Sequence, residues 1–403
     1  MAQGSNARHS LTLFAALCIS KSTMAFELDQ VFVIDESPEE ALNVSYQKMD
    51  AARASGDMRS QALAMIKMGD AMAQLGRVDE ATGSAMEAMN MCSEMKFEEG
   101  RAAAMNVMTK VHCQKGHDEE ELEEAMDSAM DALKLFRKLG YRKGEAMALM
   151  TQSTVYQACK KATLAIKVAK EALQILAELG EKRAMAEVYS TVKSAYLTKT
   201  PPESFLACKQ MEKAMALYQE LGDKSKEAGC MLTIAGVEKT TGDMKKAAAA
   251  VQKAKDLFTE AGDAKGQAAA LDTAMEMLLD AGLYFEAVKV GKERVSIFRN
   301  AGDAGEEADA MVKLGGVMMK HDDYDKASKL AEVAMTVYAG VNNMAGLKSA
   351  KDLLDGAKHA KAVEEIETSV GKAASGMHVP KTLIVDPGLN KRVTGAYGNA
   401  ISN

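Results

Sequence analysis

Seven alanines, Ala81, Ala125, Ala165, Ala207, Ala247, Ala287 and Ala327, recur at intervals of 44, 40, 42, 40, 40 and 40 residues. A small side chain at a nearly fixed interval constrains the fold more than any other feature of the chain. It marks a point at which one helix must closely approach its neighbour in every unit of a stacked repeat. A second column of small residues runs in register with the first through Ala88, Ala132, Ala172, Ala214 and Ala254, is broken at Arg294, and resumes at Ala334. Ahead of each first-column alanine stands a large apolar side chain: Met65, Met105, Leu149, Tyr189, Met231, Leu271 and Met311. Each unit therefore reads as two amphipathic helices joined by a tight turn.

Turn residues fall where that reading needs them. Gly76, Gly116, Gly242 and Gly282 mark the turns within units, and Pro201 with Pro202 does so in the fourth. Breaks between units stand at Gly56, Gly140, Gly180, Gly222, Gly262 and Gly302, often followed by an aspartate suited to cap the next helix. Only five prolines and no tryptophan occur in 403 residues, a composition that favours helix throughout. A single core of that size is unusual, because compact cores stop growing at roughly 250 to 300 residues; a stack of units that touch only their neighbours has no such limit.

The two-helix unit resembles the tetratricopeptide repeat family. Met65, Met68, Gly69, Met72, Ala81, Ala85 and Ala88 follow that family's order of bulky, apolar and small positions, as do Met311, Leu314, Gly315, Met318, Ala327, Ala331 and Ala334. Leu149, Ser153, Tyr156, Ala165, Ala169 and Ala172 fit as well, whereas Lys193 and Met275 stand where a small residue is expected. The 40-residue period is similar to the long-helix variant found in kinesin light chain and in scaffolds that orient mitotic spindles. The implied architecture is an all-α solenoid, a right-handed superhelix of antiparallel helix pairs. Residues 1–36 are expected to be a leader or disordered segment and 37–375 the solenoid. Within it a cap helix is expected over 38–55, seven repeats over 57–342 and a closing helix over 343–373, followed by an extended or disordered tail over 376–403.

The resemblance also implies where a partner would sit, since such superhelices bind peptides along the first helix of each pair. Carried onto this chain, the early units offer Leu63, Ile66, Asp70, Asn106, Lys110, Met147, Met150, Thr154 and Gln157, a mostly apolar surface with a few hydrogen-bonding groups. Later units offer Asp272, Glu276, Asp280 and Asp309, an acidic stretch relieved by Lys320. A partner with an apolar and a basic segment would complement both. Asp70 stands where a co-chaperone's carboxylate clamp would need an asparagine, which argues against capture of an acidic C-terminus. Many of the thirty methionines occupy packing columns as flexible core filler; Met147, Met150 and Met319 fall on the groove side, where they suit an adaptable surface. The tail has a charge of +2 from Lys381, Lys391, Arg392 and Asp386 and an apolar Leu383-Ile384-Val385 run. Intramolecular docking of 376–403 is one expectation for it, and a plain disordered terminus is the other.

Several function classes find no support. A net charge of −7 over 57 acidic and 50 basic residues leaves no basic footprint for nucleic acid, and no apolar run is long enough to span a bilayer. No Gly-rich phosphate loop, nucleophile elbow or catalytic constellation is found, so an enzyme and a cofactor are not expected. His112 and Cys113 with His117 come near metal-ligand spacing, but His112 falls at a packing position and His117 in a turn, which favours a structural or solvated role; a metal protein or enzyme using this region is the minor alternative. Six cysteines without a CxxC pair suit a reducing compartment, and cleavage after Ala25 would leave five. The stretch from Leu11 to Ile19 followed by small residues to Ala25 reads either as a short signal peptide or as a weakly helical cytosolic N-terminus. The Ala25-Phe26 junction is also similar to the start of plastid presequences in algae, although acidic residues follow it. A cytoplasmic location is expected, with secretory or plastid targeting through 1–25 as the alternative. The chain is expected to act as a non-enzymatic scaffold or adaptor, the alternative being a structural subunit of a large assembly.

Overall fold

The structure is a computed structural model that describes residues 29, 31–32, 37–115 and 119–376, with side chains through 369. Among the described residues it contains sixteen α-helices and no strand. They are α1 (Pro38–Ser55), α2 (Met58–Gln74), α3 (Val78–Glu94), α4 (Glu98–Lys115), α5 (Glu119–Leu139), α6 (Arg142–Ala158), α7 (Ala162–Leu179) and α8 (Lys182–Leu197). There follow α9 (Ser204–Leu221), α10 (Lys224–Thr241), α11 (Met244–Ala261), α12 (Ala264–Asp280), α13 (Tyr284–Ala301), α14 (Ala304–Met319), α15 (Tyr324–Gly340) and α16 (Met344–Gly376). They pair in sequence as helical hairpins, the geometry of an α-solenoid, and fall into two compact units, Met1–Thr273 and Ala274–Asn403.

Local chemistry sets the helix ends. Ser37 caps α1 by accepting from the Glu40 amide at 3.2 Å, with Pro38 at the first helical position where its missing N–H costs nothing. Asp57 caps α2 by accepting from the Arg59 and Ser60 amides, both at 3.1 Å. The hydrogen bonds from Ser60 hold its carboxyl below the usual range. Asp223, Asp243, Asp263 and Asp303 repeat this capping at later breaks. Gly222 shows why the preceding residue is glycine: it closes α9 at φ +72°, a left-handed conformation that disfavours any Cβ, while its amide satisfies the Gln219 carbonyl. Lys96, Lys160, Asp322 and Asn342 adopt the same sign of φ without being glycine.

Packing follows the alanine columns. All seven first-column alanines, and every alanine of the second, are wholly inaccessible. In the first unit a continuous core runs from Val31 and Phe32 through Met65, Ile66, Phe136 and Leu176 to Ala207. Arg294, which interrupts the second column, lays its guanidinium 5.3 Å from the centre of the Phe298 ring. In the second unit Met275, Ala287 and Val317 form a core of their own, so the methionine standing at an expected small position is accommodated by burial.

A third packing device is glycine beneath an aromatic ring. Gly266, in the first turn of α12, would place a Cβ 2.1 Å from the Phe258 ring of α11; Gly346, in the first turn of α16, would place one 2.2 Å from Tyr338 of α15. Phe136 and Gly144 stand in the same relation, and in each pair the ring precedes the glycine by eight residues. The closing helix α16 packs through Ala350, Leu354 and Ala357, whereas Val363 and Ile366 further along it are exposed. The possible leader 1–25, Gly116, His117 and the tail beyond 376 lie outside the described residues.

Candidate functional site

The first helices of five successive hairpins, α2, α4, α6, α8 and α10, line one cavity of about 730 Å³ in the first unit. The alanine columns lie on the second helix of each hairpin, and the first helices supply this wall. Of the residues expected to meet a partner, Ile66, Asp70, Asn106, Lys110, Met147 and Met150 line this cavity. Leu63 lines a smaller neighbouring cavity of about 310 Å³ with Val31, Ser45 and Lys67. Thr154 is exposed and donates to the Met150 carbonyl at 3.3 Å, and Gln157 is half-buried; neither reaches the cavity.

Two groups stand out in the wall. The Lys110 ammonium pairs with the Asp70 carboxylate, and Gln74 donates to the other Asp70 oxygen at 2.9 Å. One turn before Lys110, Asn106 is 2 % exposed, and its side-chain oxygen has no hydrogen-bond partner. An unmade hydrogen bond at a buried polar atom costs about 1–3 kcal/mol, so this oxygen, shielded within a residue that lines the cavity, is an unsatisfied acceptor.

The far end of the cavity is charged. Arg183 Nη1 lies 2.6 Å from Asp223 Oδ2, and Glu187 lies 3.4 Å from the Lys226 ammonium. Tyr218 donates its hydroxyl to Glu187 at 2.8 Å, and burial pushes that hydroxyl well above its usual pKa. The cavity thus passes from an apolar and amide-bearing end to an end of balanced charge.

The residues ahead of α1 contribute a part that sequence reasoning missed. Val31 and Phe32, assigned to a leader or disordered stretch, are 6 % and 8 % exposed and belong to the cavity wall. The Phe32 ring meets Phe136 edge-on at 6.1 Å and lies 6.2 Å from Tyr141, whose hydroxyl donates to Asp29 at 2.6 Å. Burial, and then the Asp29 carboxylate, hold the Tyr141 hydroxyl protonated. The alternation Val31-Phe32 beside Asp29 carries no helical period, and only the partners at Phe136 and Tyr141 give it a place.

The acidic residues expected to extend the groove do not line this cavity. Asp272 is half-buried in the first unit; in the second, Glu276, Asp280 and Asp309 are exposed. Asp309 accepts the hydroxyl proton of the buried Tyr338. The His112 region is also arranged differently from its sequence order: Cys113 packs with Cys159 against Ala125, Ala129 and Val155, while His112 faces Glu121 and Glu124 of α5. No helix among the described residues is long and apolar enough to cross a membrane.

No family model and no curated protein sequence matches the chain. Solved structures do. The signal-transduction ATPase with numerous domains and a tetratricopeptide repeat sensor from Pyrococcus horikoshii superposes with a TM-score of 0.51 at 15% identity, covering 91% of this chain and 55% of that one. This chain therefore spans about half of that relative's length. BtubC from P. vanneervenii matches at 18% identity and a TM-score of 0.45 over 57% of this chain and 93% of its own. A Rap protein complexed with competence and sporulation factor matches at 12% identity and a TM-score of 0.49 over 85% of this chain and 99% of its own. Hairpins nested on columns of buried alanine, together with a tetratricopeptide structure superposable over nine-tenths of the length, show that this chain has a tetratricopeptide-like helical repeat fold.

Proposed function

We propose that the chain is a non-enzymatic interaction scaffold whose first unit takes an extended peptide segment of a protein partner along α2, α4, α6, α8 and α10. The observation that carries this reading is the roughly 730 Å³ cavity that runs along these five helices, with the unsatisfied Asn106 oxygen buried in one of its lining residues. A peptide backbone N–H is the donor that an unpaired amide oxygen lacks, and an extended segment offers one at every residue. Val31 and Phe32 of the same chain indicate that aliphatic and aromatic side chains suit the adjoining wall, which Met147 and Met150 extend with adaptable thioethers. The paired charges at the far end favour a segment of mixed charge over a strongly basic or acidic one.

Selection of a displayed random-peptide library against the full chain tests this. Peptides with an apolar or aromatic residue next to a polar one are expected to enrich, and an Asn106→Leu variant that remains folded is expected to lose them. Failure of any sequence class to enrich, or enrichment that Asn106→Leu leaves unchanged, rejects the groove as the binding surface.

A second reading, a structural subunit of a larger assembly, is favoured by Phe205 and Phe285, which are 78 % and 82 % exposed at the starts of α9 and α13. Large exposed aromatics are enriched at protein interfaces. Sedimentation of the purified chain before and after Phe205→Ser and Phe285→Ser separates the two: self-assembly or incorporation into a particle that the substitutions abolish supports the assembly role.

A further inference from the structure

Where α4 ends and α5 begins, a single imidazole nitrogen faces two carboxylates. His112 Nδ1 lies 2.8 Å from Glu121 Oε2 and 3.3 Å from Glu124 Oε2, and the three ligand atoms all fall within 4.8 Å of one another. Neither carboxylate is paired with a lysine or arginine among the described residues. The His112 side chain is only 14% exposed, Glu121 is 33% exposed and Glu124 58%.

A hydrogen-bonding account leaves this cluster incomplete. A neutral imidazole carries one proton for one strong hydrogen bond, while two like charges three residues apart on α5 repel each other. A divalent cation resolves both faults, since it accepts a lone pair from Nδ1 and neutralises both carboxylates. Ligands bound at about 2.0–2.2 Å around a tetrahedral ion stand roughly 3.3–3.5 Å apart, which the 3.3 Å to Glu124 matches and the 2.8 Å to Glu121 approaches on opening by roughly 0.5 Å. Glu121, with a third of its side chain exposed, supplies that adjustment, and three protein ligands leave a fourth position for water. Imidazole with carboxylate selects zinc-like transition metals, whereas calcium and magnesium prefer oxygen ligands alone.

We propose that His112, Glu121 and Glu124 bind one divalent transition-metal ion of the zinc type, as a structural clamp tying the last turn of α4 to the start of α5. The ligand set differs from the His112, Cys113 and His117 order that the sequence suggests, because Cys113 packs with Cys159 while His112 turns toward α5. The site is independent of the groove, so neither proposal stands or falls with the other.

The test is zinc titration of the full chain, stripped of metal with a chelator, in a non-coordinating buffer. Calorimetry is expected to give one ion per chain. Calcium and magnesium are expected not to compete, and cobalt to give the visible absorption of a low-coordinate site. His112→Ala, and separately Glu121→Gln with Glu124→Gln, are expected to weaken binding by at least about tenfold, while Cys113→Ser leaves it intact. Because Glu124 is exposed, Glu124→Gln alone checks the site without threatening the fold. Zinc is also expected to slow amide exchange in the first two turns of α5. Absence of saturable binding, or binding that survives the glutamine pair but is lost with Cys113→Ser, overturns the proposal.

Discussion

Lys110 on α4 and Asp70 on α2 form an ion pair across one full repeat, at a separation of forty residues. One turn further along α4, Gln114 donates to the Ala73 carbonyl at 2.8 Å, so the first helices of two consecutive hairpins are pinned together along the cavity wall. The pair is partly exposed, at 32% and 18% for the two side chains, which limits its worth. A double-mutant cycle with Lys110→Met and Asp70→Asn is expected to give a coupling of about 0.5–1 kcal/mol in denaturant unfolding. A coupling near zero would mean that the pinning is carried by Gln114 and the apolar contacts alone.

Asn106→Leu separates stability from binding. Replacing an unpaired buried amide by an apolar group of similar size removes a desolvation cost without removing a hydrogen bond from its carbonyl oxygen. The melting temperature of the unliganded chain is expected to hold or rise, while affinity for selected peptides falls. A variant that loses both would show that Asn106 serves the fold.

Glycine positions divide into two kinds with opposite signs. A Cβ at Gly266 would stand 2.1 Å from a buried phenylalanine ring, whereas one at Gly236 meets nothing within 4 Å. Gly266→Ala is expected to destabilise by about 1–3 kcal/mol through ring displacement. Gly236→Ala is expected to stabilise by roughly 0.5–1 kcal/mol through helix propensity. Thermal unfolding of the two variants side by side checks both signs.

Enlarging a column alanine tests the nesting itself. Ala247 is wholly inaccessible at the crossing of α10 and α11, and Ala247→Leu is expected to cost about 1–3 kcal/mol by overpacking. A neutral result would mean that the columns are looser than their burial implies.

Two buried thiols supply a pH signature. Burial pushes Cys92 up to about 11 and Cys230 up to about 12. Their folded values lie above an unfolded value near 8.5, so the stability they contribute is complete below that pH and declines as pH rises toward their folded values. At pH 8 both are expected to react with a thiol reagent only as fast as the chain opens, and stability is expected to decline above about pH 9. Mass-spectrometric mapping of labelled cysteines against time provides the check; prompt labelling of Cys92 in the native chain would contradict its burial.

The helix pairs, their turns and their caps were legible in the chain because each depends on residues close in sequence. A small residue every forty positions, a glycine at a helix end and an aspartate one step later all act within a turn or between adjacent helices. The ring-over-glycine pairs were equally present as text, Phe258 with Gly266 and Tyr338 with Gly346, but an eight-residue separation across a helix boundary matches neither helical nor strand periodicity. Ile66, Asp70, Asn106, Lys110, Met147 and Met150 were placed on one side of the first helices by the repeat resemblance, and they line one cavity. Thr154 and Gln157 obey the same rule and miss it, because the cavity wall shifts from helix to helix as the hairpins turn.

What the amino-acid order determined by itself was the repeat: its period, its two helices and the small-residue crossings that allow them to nest. Only the tertiary structure decided which polar groups find partners. It seated Phe32 against Phe136 and Tyr141, joined Lys110 to Asp70, turned His112 toward Glu121 and Glu124, and left the buried Asn106 oxygen without a partner. The physical reason is range: periodic packing is written in near neighbours, whereas hydrogen-bond satisfaction depends on side chains that meet only after the hairpins have stacked.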